Sequence, residues 1–360
     1  MTVIEKARLA RQAAASLSIA AAPAREQALR MMAQSLLDHT PVIRAENAVD
    51  VQTAVHDGLS AAMVRRLELS DVKIRSMASA LEQMAAMPDM LGEVIETIHP
   101  PNGLEIQKVR VPLGVIGIIY ESRPNVTSDA AGICVKSGNA VVPRGGSEAL
   151  RSNIAIVRAL QQGLTGGGLD AGCVQIVETT DRSEVDSMMA ARGLIDVIIP
   201  RGGAGLINYV VTNSKVPAIE TGAGNCHVFV DRTADLETAE AIVVNAKCSN
   251  PSVCNAIETL LVHSDVAPRF LPRVISALRN AGVKVRGCER TRAIADQVAT
   301  GPPSRRTHPH CTVSLSLWYC AHAVYHGRKG LTASAIILTR LRSCHAQPRD
   351  SHRKTCSPDR

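Results

Sequence analysis

Cys254 has the side chain best suited to covalent chemistry in this chain. It lies in a turn-like run, residues 249–255, that contains Pro251 and no Lys or Arg, and an apolar run at 257–262 predicts a strand after it. Glu220 lies 34 residues upstream in a Gly-rich turn. A loop thiol with a carboxylate on a neighbouring turn indicates a nucleophile for acyl or aldehyde chemistry. The alternative is a small buried hydrophobic residue, which is the usual role of a single cysteine.

The elements that must position these residues begin with a helical region. Residues 1–90 are rich in Ala, Leu, Met, Arg and Glu at helical spacing, which predicts three or four helices with breaks at Pro41 and Gly58. Residues 94–110 mix apolar and polar positions in strand-like fashion around 100–103, which reads Pro-Pro-Asn-Gly. This pattern predicts a β-hairpin.

From residue 111 onward, predicted strands alternate with predicted helices. The strands are 115–120, 140–143, 174–177, 197–199 and 227–230, and the helices between them include 148–164 and 182–191. β-branched runs separated by helices indicate a parallel sheet covered on both faces, and hence an α/β fold. Gly-rich loops at 144–147 and 201–205 follow strands, where open α/β sheets bind ligands. Neither loop has G-x-G-x-x-G spacing, so the loops alone do not establish a dinucleotide site.

The formal net charge of +7 comes from an excess of basic residues at the C-terminal end of the chain. Residues 1–300 hold 30 Lys and Arg against 31 Asp and Glu, a net charge of −1, whereas residues 301–360 hold 10 against 2, a net charge of +8. The body therefore lacks the positive surface that nucleic-acid binding requires.

The location expected from the sequence is the cytoplasm. No apolar run is long enough to span a membrane. The stretch 13–24 faintly resembles a secretory signal, but it is weakly hydrophobic and helical periodicity continues beyond it. The six cysteines of residues 1–300 lack paired spacing, which indicates reduced thiols.

The composition changes abruptly near residue 300, and three interpretations of residues 301–360 compete. They are a basic nucleic-acid-binding extension, a product of a shifted reading frame, or a zinc site built from His308, His310, Cys311, Cys320 and His322. Irregular spacing without C-x-x-C disfavours zinc, and the lack of aromatic interleaving disfavours nucleic acid. An acid-poor mixture without periodicity favours the shifted frame. Within it, residues 333–341 predict one isolated strand or short helix.

Seven motifs in order resemble the γ-glutamyl phosphate reductase (glutamate-5-semialdehyde dehydrogenase) family of the aldehyde dehydrogenase superfamily. The motifs are VPLGVIG at 111–117, YESRPNVT at 120–127, KSGNA at 136–140, RGGSEA at 144–149, IPRGG at 199–203, ETGAGNCH at 220–227 and PSVCN at 251–255. The resemblance extends from the N-terminus to about residue 299. It implies an NADP-binding domain at 1–222 with a Rossmann-type sheet, a partial catalytic domain at 223–300, and a basic tail at 301–360 unlike the family.

The resemblance also implies a reaction and a set of catalytic residues. Cys254 would attack the acyl carbon of glutamyl 5-phosphate, and NADPH would reduce the resulting thioester to the semialdehyde. Asn125 and the backbone N–H of Cys254 would stabilise the oxyanion, and the weaker alternative for Asn125 is an Asx-turn residue. Glu220 occupies the position of the general base of hydrolytic relatives, which a phosphate-exchanging reductase does not need.

The cofactor residues implied by the resemblance lie in two loops. Arg144 and Ser147 are candidates for the ribose and 2′-phosphate region, against the alternative of a solvated arginine at a helix start. The full set is Arg144, Gly145, Gly146, Ser147, Glu148, Pro200, Arg201, Gly202 and Gly203. No metal site is expected, and the only expected partner is the small-molecule substrate.

The sequence departs from the family pattern at several positions. Residues 247–250 read KCSN where the family has a KTQR-like run, Pro143 replaces an aliphatic strand residue, and Ala204 replaces a lysine of some members. Residues 301–360 show neither the family's cofactor-contacting glutamate nor its C-terminal oligomerisation strand. The family is expected to be homo-oligomeric, but a catalytically inactive product of a shifted frame therefore remains the alternative to an active reductase.

Overall fold

The chain divides into two compact units, Met1–Gly222 and Ala223–Arg360, hereafter unit 1 and unit 2. The computed structural model describes residues 1–220, 226–251, 253, 255–295, 298–300, 314–320 and 335–338.

Unit 1 begins with five helices. They are α1 (Val3–Ser18), α2 (Ala22–Asp38), α3 (Thr40–His56), α4 (Ala61–Leu67) and α5 (Asp71–Ala86). Local sequence explains their starts: α1 has a capping box formed by Thr2 and Glu5, α2 and α3 have proline in the first turn, and serines cap α4 and α5. The prediction of three or four helices was wrong in number, because a seven-residue helix such as α4 is too short to show periodicity.

The predicted hairpin is confirmed. Strands β1 (Val94–Ile98) and β2 (Ile106–Val109) pair antiparallel. Gly103 in the connecting turn has φ +82°, a left-handed conformation that glycine adopts without strain.

A parallel α/β arrangement completes unit 1. Its elements are β3 (Val115–Tyr120), α6 (Asn125–Lys136), β4 (Ala140–Arg144), α7 (Leu150–Gly166), α8 (Ser183–Ala190), β5 (Val197–Arg201) and α9 (Ala204–Asn213). The strand order is β4-β3-β5, and both pairings are parallel. The strands and helices predicted for these positions are therefore confirmed within a few residues.

β3 is buried along its whole length because helices cover both faces of the sheet. Ile116, Ile118 and Tyr120 contribute to a core shared with α2, α5, α6 and α7. Val115 and Ile119 contribute to a second core shared with α1, α8 and α9. This alternation follows from the two-residue period of a strand.

The segment 174–177 was predicted as a strand but forms only a single parallel bridge, between Val174 and Val141. It still lies along β4, because Val177 N–H donates to the Pro143 carbonyl at 3.1 Å. The N–H and C=O of one strand residue point to the same side. The N–H that Pro143 lacks would thus have pointed toward 174–177, so the proline removes no β3–β4 hydrogen bond.

Unit 2 is built on a second parallel sheet. Its elements are β6 (His227–Val230), α10 (Leu236–Cys248), β7 (Thr259–His263), α11 (Ala267–Asn280), β8 (Lys284–Gly287), α12 (Glu289–Ile294), β9 (Ala299–Thr300), β10 (Ser314–Cys320) and β11 (Ala335–Leu338). The strand order is β11-β6-β7-β10-β8-β9, and every pairing is parallel. The prediction of an isolated element near 333–341 was wrong for β11, which pairs with β6.

Candidate active site

The candidate cofactor site of unit 1 lies at the carboxyl edge of the sheet. Because β3 is the central strand, its last residues pair with both neighbours: Ile119 is in register with Arg144, and Tyr120 with Arg201. The loops that follow β3, β4 and β5 therefore meet at one edge, which is where open parallel sheets bind their ligands.

Arg144, the last residue of β4, is partly buried at this edge. Its two terminal nitrogens donate to the carbonyls of Gly145 at 2.8 Å and Thr180 at 3.2 Å. Its Nε is buried and has no hydrogen-bond partner among the described residues. Burial lowers the pKa of Arg144, and the nearby Glu148 carboxylate opposes that shift. The guanidinium is therefore half-buried and held by two carbonyls, and its buried Nε–H is used by no described residue.

A buried chain of polar groups lies beneath Gly145. Tyr120 Oη and Thr127 Oγ1 are 2.7 Å apart, and Thr127 Oγ1 donates to Asn153 Oδ1 at 2.9 Å. Asn153 is 1% exposed, and its Nδ2 has no hydrogen-bond partner among the described residues. A β-carbon at position 145 would collide with that nitrogen. Only glycine permits this close approach of the loop to α7.

Two carboxylates tie the three loops together. Glu121 Oε1 accepts from the Gly203 N–H at 3.0 Å, and the Glu121 N–H donates to the Arg201 carbonyl at 3.2 Å. Glu148 Oε1 accepts from the backbone N–H of Ser122 at 3.1 Å and from the Ser122 hydroxyl. Carboxylates held in this way can also accept hydrogen bonds from sugar hydroxyls.

The remaining predicted cofactor residues lie in the same loops. Gly146 and Ser147 precede α7, and the Ser147 hydroxyl donates to Glu148 Oε2 at 3.3 Å. Pro200 is buried in β5, whereas Arg201 is exposed and Gly202 leads into α9. The structure thus brings both predicted loops to one edge.

These residues fit a nicotinamide dinucleotide. Arg144 offers a buried donor that no described residue uses, and the lack of a side chain at Gly145 lets the loop lie directly on Asn153. Cations and backbone N–H groups suit phosphate, and the carboxylates suit ribose hydroxyls. Within the described ranges, no group of three or more His, Cys, Asp or Glu side chains could hold a metal ion. Of the zinc alternative, His308, His310, Cys311 and His322 lie outside those ranges.

Asn125 is the first residue of α6, and its side chain is exposed. Its Nδ2 donates to Asp129 Oδ2, one helical turn further on, at 3.1 Å. This is an (i, i+4) side-chain pair and not an Asx turn, so the alternative interpretation of Asn125 was wrong.

Glu220 is exposed and is the last residue described before the gap at 221–225. The chain before it lies along β5, with a parallel bridge between Ala218 and Ile198 and with the Ile219 N–H donating to the Ile198 carbonyl at 2.9 Å. Because this pairing is parallel, Glu220 extends toward the carboxyl edge of the sheet.

Cys254 lies outside the described residues, but both ends of its loop are described. Lys247 is 5% exposed at the end of α10, and its Nζ donates to the Ile257 carbonyl at 2.8 Å. The Ile257 N–H donates to the Ala246 carbonyl at 3.1 Å. Burial lowers the pKa of Lys247, and Glu258 opposes that shift. The loop 249–256 is thus closed at its base by two hydrogen bonds to Ile257.

Sequence reasoning did not identify Glu121, Asp129 or Lys247. Lys247 stands in the quoted KCSN run, and Asp129 stands four residues after Asn125. The helical spacing of Asn125 and Asp129 was the available signal for that pair. No pattern along the chain indicated that the Glu121 carboxylate accepts from Gly203.

Among the residues that the structure describes, no helix is long and apolar enough to cross a membrane. Cys134, Cys173, Cys226, Cys248 and Cys288 are free thiols.

Comparison with known proteins reveals relatives along most of the chain. A model of the aldehyde dehydrogenase family matches residues 2–292. The γ-glutamyl phosphate reductase of Moorella thermoacetica is 53% identical over 294 residues, which cover 82% of this chain and 70% of that protein. The corresponding enzyme of Caldanaerobacter subterraneus is 49% identical over 298 residues, covering 83% and 72%.

A solved structure shows the same similarity. The crystal structure of γ-glutamyl phosphate reductase from Thermotoga maritima has a TM-score of 0.81 and 41% sequence identity, and it covers 89% of this chain and 78% of that chain. The residues matched by the family model include Asn125, Glu220 and Cys254.

Proposed function

Because this chain belongs to the aldehyde dehydrogenase family, and within it to the γ-glutamyl phosphate reductases, we propose that it reduces glutamyl 5-phosphate to glutamate 5-semialdehyde with NADPH, in proline biosynthesis. The observation that carries the proposal is the 53% identity to a γ-glutamyl phosphate reductase over 294 residues. The arrangement of Arg144, Gly145 and Glu148 at the sheet edge supports the cofactor part of the reaction.

Cys254 is the nucleophile in this proposal. Its thiolate attacks the acyl carbon of the substrate, a sulfur–carbon bond forms, and the carbon–oxygen bond to phosphate breaks. Phosphate leaves with the electron pair of that bond. After reduction of the thioester carbon, collapse of the tetrahedral adduct breaks the sulfur–carbon bond and returns the thiolate. The two ends of the segment that contains Cys254 are joined by the hydrogen bonds of Lys247 and Ala246 with Ile257.

Asn125 stabilises the oxyanion that forms at the acyl carbon. Its amide is exposed at the start of α6, and one of its two N–H groups remains after the other donates to Asp129. Removal of one oxyanion donor typically costs about 3 kcal/mol of transition-state stabilisation. Glu220 has no water to activate when phosphate is the group exchanged, so we assign it no step as a base.

Arg144, Gly145 and Glu148 would hold the dinucleotide at the sheet edge, with Arg201–Gly203 on its other side. Bound there, NADPH would supply the hydride that converts the thioester to the aldehyde level. The Arg144 guanidinium is the group that we assign to the 2′-phosphate, since guanidinium and phosphate make charge-assisted hydrogen bonds.

The cytoplasm is the location we propose for this reaction. The free thiols at the described cysteines fit a reducing compartment.

Cys254→Ala tests the proposal. In the reverse direction, we expect the full-length protein to reduce NADP⁺ with glutamate 5-semialdehyde only when phosphate is present, and the variant to show no turnover above background. Cys248→Ala is the matched control, because Cys248 is a partly buried cysteine six residues away whose thiol pKa is raised by burial. It should retain activity.

Two results would contradict the proposal. Soluble, folded protein without turnover would support the alternative of an inactive product of a shifted frame. Equal activity of Cys254→Ala and the unsubstituted protein would remove Cys254 as the nucleophile.

A further inference from the structure

The first turn of α6 is anchored from below by buried hydrogen bonds. Thr127, its third residue, is fully buried and bonds to both Tyr120 and Asn153. The Ser128 hydroxyl donates to the Asn125 carbonyl at 3.0 Å. These contacts hold the backbone at Asn125 in place, but they do not hold its side chain.

The Asn125 side chain has one hydrogen-bond partner among the described residues. Its Nδ2 donates to Asp129 Oδ2 at 3.1 Å, and within the same ranges Asn125 is also the only donor to the Asp129 carboxylate. An ionised carboxylate accepts hydrogen bonds and cannot donate them, so the atom facing Asp129 must be the nitrogen. The pair therefore determines which way the amide faces, a choice that an exposed asparagine would otherwise leave open.

We infer that Asp129 is a positioning residue, which holds the Asn125 amide so that its second N–H can donate to the oxyanion. The inference rests on the proposed function, since it requires Asn125 to be the oxyanion donor. A donor fixed before the reaction needs no reorientation when the charge develops, which is the basis of its stabilising effect.

The surroundings of Asp129 support this role. Its side chain is partly buried, and burial raises the pKa of its carboxyl group. The hydrogen bond from Asn125 opposes that shift. The Asn125 amide is thus the one described group that compensates the loss of water around this carboxylate, and the two side chains orient each other.

A set of single substitutions in the full-length protein tests the inference. Asp129→Ala should lower kcat about tenfold and change the KM for glutamate 5-semialdehyde less than about twofold, because a misplaced donor weakens transition-state binding. Asp129→Asn retains an acceptor oxygen and should recover part of the lost rate. Ile133→Ala is the matched control: Ile133 lies one turn further along α6, is 59% exposed, and should leave kcat unchanged.

A double-mutant cycle separates positioning from a general effect on folding. We expect Asn125→Ala alone to lower kcat about a hundredfold, and Asp129→Ala to add no further loss in that background. If the kcat of the double variant fell by the product of the two single losses, the inference would be overturned, because Asp129 would then act independently of Asn125. If Asp129→Ala left kcat unchanged while Asn125→Ala lowered it, the inference about Asp129 would be overturned, but the proposed role of Asn125 would stand. Unchanged kcat in Asn125→Ala would also overturn the proposed role of Asn125.

Discussion

Arg144 is held at the end of β4 by two carbonyl groups, while its Nε faces no hydrogen-bond acceptor among the described residues. A buried guanidinium N–H without a partner costs free energy, and a bound anion would remove that cost. In the proposed reaction, we therefore expect this unused donor to favour NADPH over NADH.

Arg144→Gln should raise the KM for NADP⁺ about tenfold and leave kcat within about twofold, because one charge-assisted hydrogen bond contributes about 1.5–3 kcal/mol. The KM for NAD⁺ should change much less, because NAD⁺ lacks the 2′-phosphate. Steady-state kinetics with both cofactors measure the difference. Arg158→Gln, which replaces an exposed arginine on α7, is the control and should alter neither value. Equal increases for both cofactors would contradict a contact with the 2′-phosphate.

Helix α7 is attached to α3 by a buried hydrogen-bond network next to the loop 144–147. Asp50 Oδ2 accepts from the Ser152 N–H at 2.8 Å and from its hydroxyl at 2.6 Å. Asn47 bridges the Leu67 carbonyl and the Leu69 N–H at 2.9 and 2.7 Å. Burial raises the pKa of Asp50, and the Ser152 hydrogen bonds oppose that shift.

The free energy of unfolding of unit 1 should depend on pH through the protonation of Asp50. Because the folded-state pKa lies above the unfolded value of about 3.9, the contribution of Asp50 to stability is fully present below that value and is lost as the pH rises through the folded pKa. The free energy of unfolding of the unsubstituted protein, minus that of Asp50→Asn, should therefore decrease from about pH 4 upward. Urea unfolding of both proteins at several pH values measures this difference in free energy. An increase with pH would contradict the direction of the shift.

The described parts of residues 301–360, β10 and β11, belong to the sheet of unit 2. β10 pairs with β7 on one side and β8 on the other, and β11 pairs with β6. The two halves of this sheet, β6–β7 and β8–β9, are joined through β10.

Deletion of residues 301–360 should therefore increase amide hydrogen exchange in β7 and β8 and leave exchange in β3, β4 and β5 unchanged, because only unit 2 loses strand partners. Exchange detected by mass spectrometry measures each strand. Deletion of residues 339–360 alone is the control, since it retains β10 and β11. If both deletions gave the same exchange in β7 and β8, β10 would contribute no stability, as the interpretation of a shifted frame expects.

The α/β class, the position of β3 and the family could all be recognised along the chain. Six consecutive apolar or small residues at 115–120 predict a strand buried on both faces, and the motifs that follow it identified the γ-glutamyl phosphate reductases. These features are local: a strand's burial and a motif's order can both be recognised along the chain.

The contacts that complete the candidate site and the sheet of unit 2 depend on the folded chain. Asn153 lies beneath Gly145, the Glu121 carboxylate accepts from Gly203, and β10 lies between β7 and β8. Each contact joins segments that are distant in the sequence or in strand order. A periodic pattern specifies which face of an element is buried, but the residue that covers that face depends on long-range packing, which only the folded chain defines.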